Sequence, residues 1–399
     1  MQAFNKMIDS YLVFWGKQET GKLDSTQSSL ILIVRQYYHY LKLKKQINRV
    51  CQKINNNPSI DLSQDIDIQR LFEFWLGVDA NSMKQRIDGD YVKCTKVFIK
   101  MVKDRWPDME DASIFQALRN VWIMNTIQIM HKIPVKITDA IFAYSMLYPL
   151  TDNYLDDERV SLIEKQAFVL RFRKRLEGYK IHPFNFHEQD IFDMVGMIEK
   201  NFSRTDHQEV FESLLLIHEG QCMSLKQQYE ILTEKQILKL SFEKGAASVV
   251  ADAYLVLGEL NEEELRFYTG YGIALQLADD LQDMSEDLMN NHHTLYNCHT
   301  GSEKRWLDTK KLMCLCDEIL TYVPMEDTVL KRQMIRLLRN SLQLLICDAI
   351  YEQRTFFSKD AIQRVNQMQS VRLEHHWKLK QISQKWMKIL KPKLVSQTR

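Results

Sequence analysis

The chain has 399 residues, of which 45% are hydrophobic and 26% charged, a composition that fits a globular protein with a sizeable core and excludes a disordered one. Lysine plus arginine (53) nearly balance aspartate plus glutamate (52), so no global field draws the chain to nucleic acid, and any use of charge is local. Only 12 glycines and 7 prolines are available to punctuate turns, while Leu, Ile, Met and aromatic residues recur at helical spacing, which predicts an all-α fold.

The opening stretch, MQAFNKMIDSYLVFWGKQE, carries Lys6 and Asp9 inside its apolar part, which does not suit a signal peptide. No uncharged apolar run approaches the roughly 18 residues that span a bilayer. The seven cysteines are an odd number without zinc-site spacing and read as reduced thiols, so a cytoplasmic location is expected.

Residues 1–110 read as a first helical region, broken by NNNPS at 55–59 and by Trp106 and Pro107. Long helical segments follow from 111 to 360, separated by KIP at 132–134, YKIHPFNF at 179–186, a polar stretch at 290–303 and YVPMED at 322–327. None of these breaks is long or of low complexity, so they are predicted to be loops within one bundle. Residues 361–399 end in a basic amphipathic helix, with Leu379, Ile382, Trp386, Ile389 and Leu390 on one face and lysines on the other. Such a helix can touch a membrane surface or pack on its own bundle, and the second use is the commoner.

Two acidic clusters carry the chemistry. In LQLADDLQDMSED at 275–287, Asp279, Asp283 and Asp287 recur every four residues, which places them on one face if the helix begun near Glu262 continues. Like charges at that spacing repel by a few tenths of a kcal/mol each, so the ladder calls for cations. Carboxylate oxygens select a hard divalent metal, and magnesium when a phosphate shares its coordination. The second cluster, YPLTDNYLDDER at 148–159, again sets carboxylates four apart, Asp152 and Asp156, with Asp157 beside them. Either cluster alone reads as a solvated helix end; together they suggest a metal-bound diphosphate.

The run LTEKQILKLSFEKGAASVVADAYLVLGELNEEELRFYTGYGIALQLADDLQD, from 232 to 283, resembles the second half of the trans-isoprenyl diphosphate synthases. Lys244 matches the lysine that begins one of the family's helices. Gly272, Gln276, Asp279, Asp280 and Asp283 match its G-x-x-x-Q-x-x-D-D-x-x-D motif. EGQCMS at 219–224 is similar to the G-Q-x-x-D element, with Gly220 and Gln221 kept and Ser224 in place of the aspartate. The first aspartate motif appears with Asp152 and Asp156 kept and Asn153 replacing its second carboxylate. The resemblance fades before about 110 and after about 300.

It implies a class I isoprenoid synthase bundle around a central apolar cavity, extended by N-terminal helices. It implies Mg2+, three ions by that likeness, held by Asp152, Asp156, Asp157, Asp279, Asp280, Asp283 and Asp287. Lys244, Arg159, Gln221 and Lys226 are the expected diphosphate contacts. Tyr144, Leu147, Tyr148, Tyr254, Tyr271 and Gln276 are expected along the cavity, with Phe142 and Trp122 nearby. Tyr148 and Leu147 stand four and five residues before Asp152, where chain length is limited in elongating relatives.

Elongating members also need a second basic pocket for isopentenyl diphosphate. Its segments are not recognisable here: GK at 21–22 lacks the arginine, and only Arg159 follows Asp157. The expected activity is therefore a magnesium-dependent class I terpene synthase, which ionises one prenyl diphosphate and cyclises or eliminates. A prenyltransferase, chain-elongating or of the squalene or phytoene type, is the alternative; Gln276, Asp283, Glu286 and Asp287 also fit a head-to-head motif. A catalytically silent prenyl-binding subunit is the third reading. A homodimer is a further expected association, nucleic acid is not an expected partner, and His292 and His293 form a solvated loop pair or close over the diphosphate.

Overall fold

The computed structural model describes residues 2–18, 30–57, 89–157, 159–226, 232–299, 301–326 and 328–395. Every regular element among them is helical, as composition predicts. In chain order they are α1 (Gln2–Lys17), α2 (Leu30–Asn56), α3 (Gly89–Arg105), α4 (Asp111–Met130) and α5 (Asp139–Asp156). Next come α6 (Leu162–Leu176), α7 (Phe186–Asn201), α8 (Gln208–Lys226), α9 (Glu234–Leu257) and α10 (Glu262–Gln282). The rest are α11 (Met284–Met289), α12 (Ser302–Ile319), α13 (Val329–Glu352), α14 (Lys359–Met368) and α15 (Leu373–Val395). No helix among the described residues is long and apolar enough to cross a membrane. The sequence feature at 21–22 and the end of the break at 58–59 lie outside the described residues.

Side-chain caps set the helix starts. Ser161 with Glu164 opens α6 and Thr233 with Gln236 opens α9, each as a reciprocal capping box. Thr138, Asn185, Thr328 and Ser358 accept from the backbone N–H three residues on and open α5, α7, α13 and α14.

The chain divides into two compact units, each drawn from separated stretches. The first comprises the described residues of Met1–Leu12, Gly89–Ile273 and Tyr322–Met325. Its core is built by α4, α5 and α7 through Leu118, Val121, Met124, Ile141, Ile191 and Val195, all fully buried. Glu199 pairs with Arg175 and Arg204, and Arg204 also donates to the Leu176 carbonyl at 2.7 Å, so one guanidinium closes the end of α6.

The second unit comprises the described residues of Val13–Asp88, Ala274–Thr321 and Glu326–Arg399. Here α2 packs along α15 through Tyr40, Leu43, Ile47 and Leu379, with Ile382 alongside and Val371, just before α15, in the same cluster. Tyr40 stacks on His375 at 4.4 Å, and Trp386 Nε1 donates to Asn48 Oδ1 at 2.9 Å. The apolar positions Leu379, Ile382 and Trp386 of the C-terminal helix are thus engaged by α2; the side chains of Ile389 and Leu390 lie outside the described residues.

Asp252, on α9 in the first unit, is fully buried and neither carboxylate oxygen has a hydrogen-bond partner. Burial alone pushes its carboxyl well above the usual range. The native state therefore holds this proton more tightly than the unfolded chain. The stabilisation is present below the unfolded-state pKa of about 4 and is lost as pH rises through the raised native value. Within that window wild type should lose up to about 1.4 kcal/mol per pH unit relative to Asp252→Asn, read as a widening difference between their urea unfolding free energies.

Candidate functional site

The residues named from sequence fall in both units, and each group is described within its own. The first cluster ends α5. Pro149 sits inside that helix, where it withholds one backbone donor, and Thr151 Oγ1 donates to the Leu147 carbonyl at 2.8 Å. Asp152 is half-buried and accepts from Gln116 Nε2 at 3.2 Å. Asn153 is exposed and donates through Nδ2 to Ser113 Oγ at 3.2 Å. Both partners lie on α4, so the α4–α5 packing fixes the motif. Asp156 is the last residue of α5, and its side chain lies outside the described residues.

Asp157 caps α5 and turns to Arg159 instead of continuing the ladder. Arg159 donates to it through Nε at 2.9 Å and Nη2 at 2.7 Å, a bidentate pair. These bonds hold the Asp157 carboxyl down at about 2, although both groups face solvent. Arg159 as a diphosphate contact and Asp157 as a metal ligand would each have to give up this pair.

Lys244 projects into solvent from α9, and α8 crosses close beside it: a Cβ added at Gly220 would meet Lys244 Cα at 3.6 Å. Gln221, half-buried, follows Gly220 on α8. The side chains of Ser224 and Lys226 lie outside the described residues. Gly272, on α10, presses on α9 at Gly245, so one motif glycine lies at the α8–α9 contact and another at the α9–α10 contact.

The expected cavity residues divide. Tyr144 and Leu147 are buried, and Tyr144 donates to the Ser248 carbonyl at 3.3 Å, joining α5 to α9. Tyr148 is 39% exposed, on the outer side of the same turn. Tyr254 is half-buried, its phenol pushed up to about 12 by burial and by Glu209 and Glu212. Tyr271 stacks on Phe267 at 5.8 Å. Trp122 donates to Thr95 Oγ1 at 3.1 Å, and Phe142 packs between Phe98 and Trp106.

The second cluster departs from the expected continuous helix. Helix α10 ends at Gln282, and Asp283 stands at the N-cap of α11 with φ −92° and ψ 7°. The four-residue spacing nevertheless survives, because Asp283 N donates to the Asp279 carbonyl and Asp287 N to the Asp283 carbonyl, each at 2.9 Å. Asp279, Asp283 and Asp287 keep partial solvent access. Asp280 does not: it is 5% exposed and accepts from Gln276 Nε2 at 2.7 Å. Gln276 is thereby committed to a carboxylate within its own helix.

Gln353, just beyond α13, braces the bend. Its Nε2 donates to the Gln282 carbonyl at 2.5 Å, and Ser285 Oγ donates to its Oε1. Gln353, Gln116 and Ser113 position motif residues, and no local spacing in the sequence singles them out. The loop after α11 is closed by Asn297, which donates to the His292 carbonyl at 2.6 Å and accepts from Thr294 N at 2.8 Å. Compared with known proteins, the chain matches no family model, no curated protein and no solved structure.

Proposed function

We propose that the chain is a magnesium-dependent class I terpene synthase acting on one allylic prenyl diphosphate. The observation that carries this reading is the ladder of Asp279, Asp283 and Asp287. It keeps four-residue register across the helix break with partial solvent access, while Asp280 turns inward onto Gln276. Three carboxylates spaced in that way suit hard, oxygen-seeking cations. The elongating pattern instead calls on Asp280, whose carboxylate is buried and engaged.

In this reading Asp279, Asp283 and Asp287 would hold magnesium in the second unit, and Asp152 and Asp156 are the carboxylates that would hold it in the first; magnesium, when bound, neutralises a leaving diphosphate. Lys244 supplies an exposed cation on α9, suited to diphosphate oxygens. Buried Tyr144 and Leu147 supply apolar and aromatic surface of the kind that protects a carbocation from water. The two acidic clusters belong to different units, and each should be needed in its own right.

The test is to incubate the protein with magnesium and geranyl, farnesyl or geranylgeranyl diphosphate, with and without isopentenyl diphosphate, and to analyse the extract. A hydrocarbon or alcohol from one substrate alone is the expected result. Longer diphosphates formed only with isopentenyl diphosphate would make the chain a prenyltransferase. Absence of both turnover and magnesium-dependent diphosphate binding would leave the silent subunit.

A further inference from the structure

Helix α2 has a second face that its packing does not explain. Its 27 residues contain no acidic side chain, in a chain whose charges otherwise nearly balance. One side of the helix is occupied: Tyr40, Leu43 and Ile47 are buried against α15. On the opposite side, Leu30 (80% exposed), Ile31 (81%), Val34 (63%) and Tyr38 (64%) project outward, with Tyr37 and Leu41 beside them. Their spacing of three and four residues makes one continuous apolar strip over the first three turns. Further along the same exposed side stand Lys42, Lys44, Lys45 and Arg49, and Arg35 flanks the strip.

An apolar strip of this size left in water is unfavourable and marks a contact surface. Its occupant must accept two things in series along one helix: large aliphatic and aromatic side chains, then a row of cations. A second copy of the chain meets only half of that demand. Full-length pairing of two α2 helices sets cations against cations when parallel, and cations against the apolar strip when antiparallel. A bilayer with anionic headgroups meets both, because the apolar side chains enter the acyl boundary, the tyrosines sit at the interface and the lysines meet the headgroups.

We propose that the exposed face of α2 docks the protein on an anionic phospholipid surface. This placement is independent of the reaction assigned above. It also differs from docking through the C-terminal helix, whose Leu379, Ile382 and Trp386 are engaged by α2.

The test is flotation of the full chain with vesicles of phosphatidylcholine alone or with about 30 mol% phosphatidylserine, at low salt and at about 0.5 M salt. Binding at least tenfold tighter to the anionic vesicles, weakened by salt, is expected. Ile31→Asp with Val34→Asp, and separately Lys44→Glu with Lys45→Glu, should each reduce it at least tenfold with helix content unchanged, since all four side chains are exposed. Equal affinity for both vesicle types, no binding to either, or binding indifferent to both double substitutions would overturn the proposal. So would light scattering that shows a vesicle-free dimer dissolved by the Ile31→Asp, Val34→Asp pair, which would give the face to a second copy.

Discussion

Asp283→Ala should lower turnover of an allylic diphosphate about a thousandfold or more, equivalent to about 4 kcal/mol of lost transition-state stabilisation. The side chain makes no capping hydrogen bond to α11 although it stands at the N-cap, so its removal costs α11 no cap. Asp152→Ala in the other cluster should have an effect of similar size. Asp280→Asn separates the two metal patterns. Its carboxylate is buried and held by the Gln276 amide, so the amide variant should show its main effect in stability and keep turnover within about tenfold of wild type. A loss at Asp280 equal to that at Asp283 would transfer the metal set to the elongating pattern. Steady-state kinetics with magnesium, alongside circular dichroism and urea unfolding of each variant, reads all of these outcomes.

The helices were legible because their signals are local. Ser161 with Glu164 and Thr233 with Gln236 spell capping boxes in the sequence itself, and the polar breaks near 107, 133, 180, 290 and 324 fall between described helices. The ladder spacing was legible for the same reason, since a four-residue recurrence needs no tertiary knowledge. The bend at Asp283 was not, because the apolar pattern runs through it without a glycine or proline and the brace comes from Gln353, 71 residues beyond Gln282. The fate of Asp280 was also hidden: adjacent aspartates look alike in sequence, and only packing turns one inward. The C-terminal helix allowed two uses from sequence, and contact with Leu43 and Ile47 of α2 decides the use of Leu379. Helix α2 is the reverse case. Nothing in its sequence marks which side of its apolar first three turns is left exposed, and Leu30, Ile31 and Val34 face outward.

Gly272→Ala should destabilise the protein by about 3 kcal/mol or more, although alanine normally improves a helix interior by roughly 0.5–1 kcal/mol. A Cβ at this position would lie 2.2 Å from the Gly245 carbonyl oxygen, 2.8 Å from its carbon and 3.0 Å from Ala246 Cα. All three atoms are backbone, so no side chain can rotate away, and α9 and α10 must separate instead. Helix α9 is packed on α4, α5 and α8 as well, and displacing it disturbs buried contacts around Ala246, Val250 and Ala251. The cost therefore lies at or beyond the upper end of ordinary overpacking, and it is a large share of the 5–15 kcal/mol that a domain typically has. Gly196→Ala provides the internal control. That glycine lies inside α7, where an added Cβ would meet only Arg175 Nη2 at 3.7 Å, an ordinary contact. The same substitution there should stabilise by roughly 0.5–1 kcal/mol. Opposite signs in urea unfolding would attribute the Gly272 effect to the helix crossing, since helix propensity is common to both sites. Equal signs would remove the close α9–α10 approach as the reason for glycine in that motif.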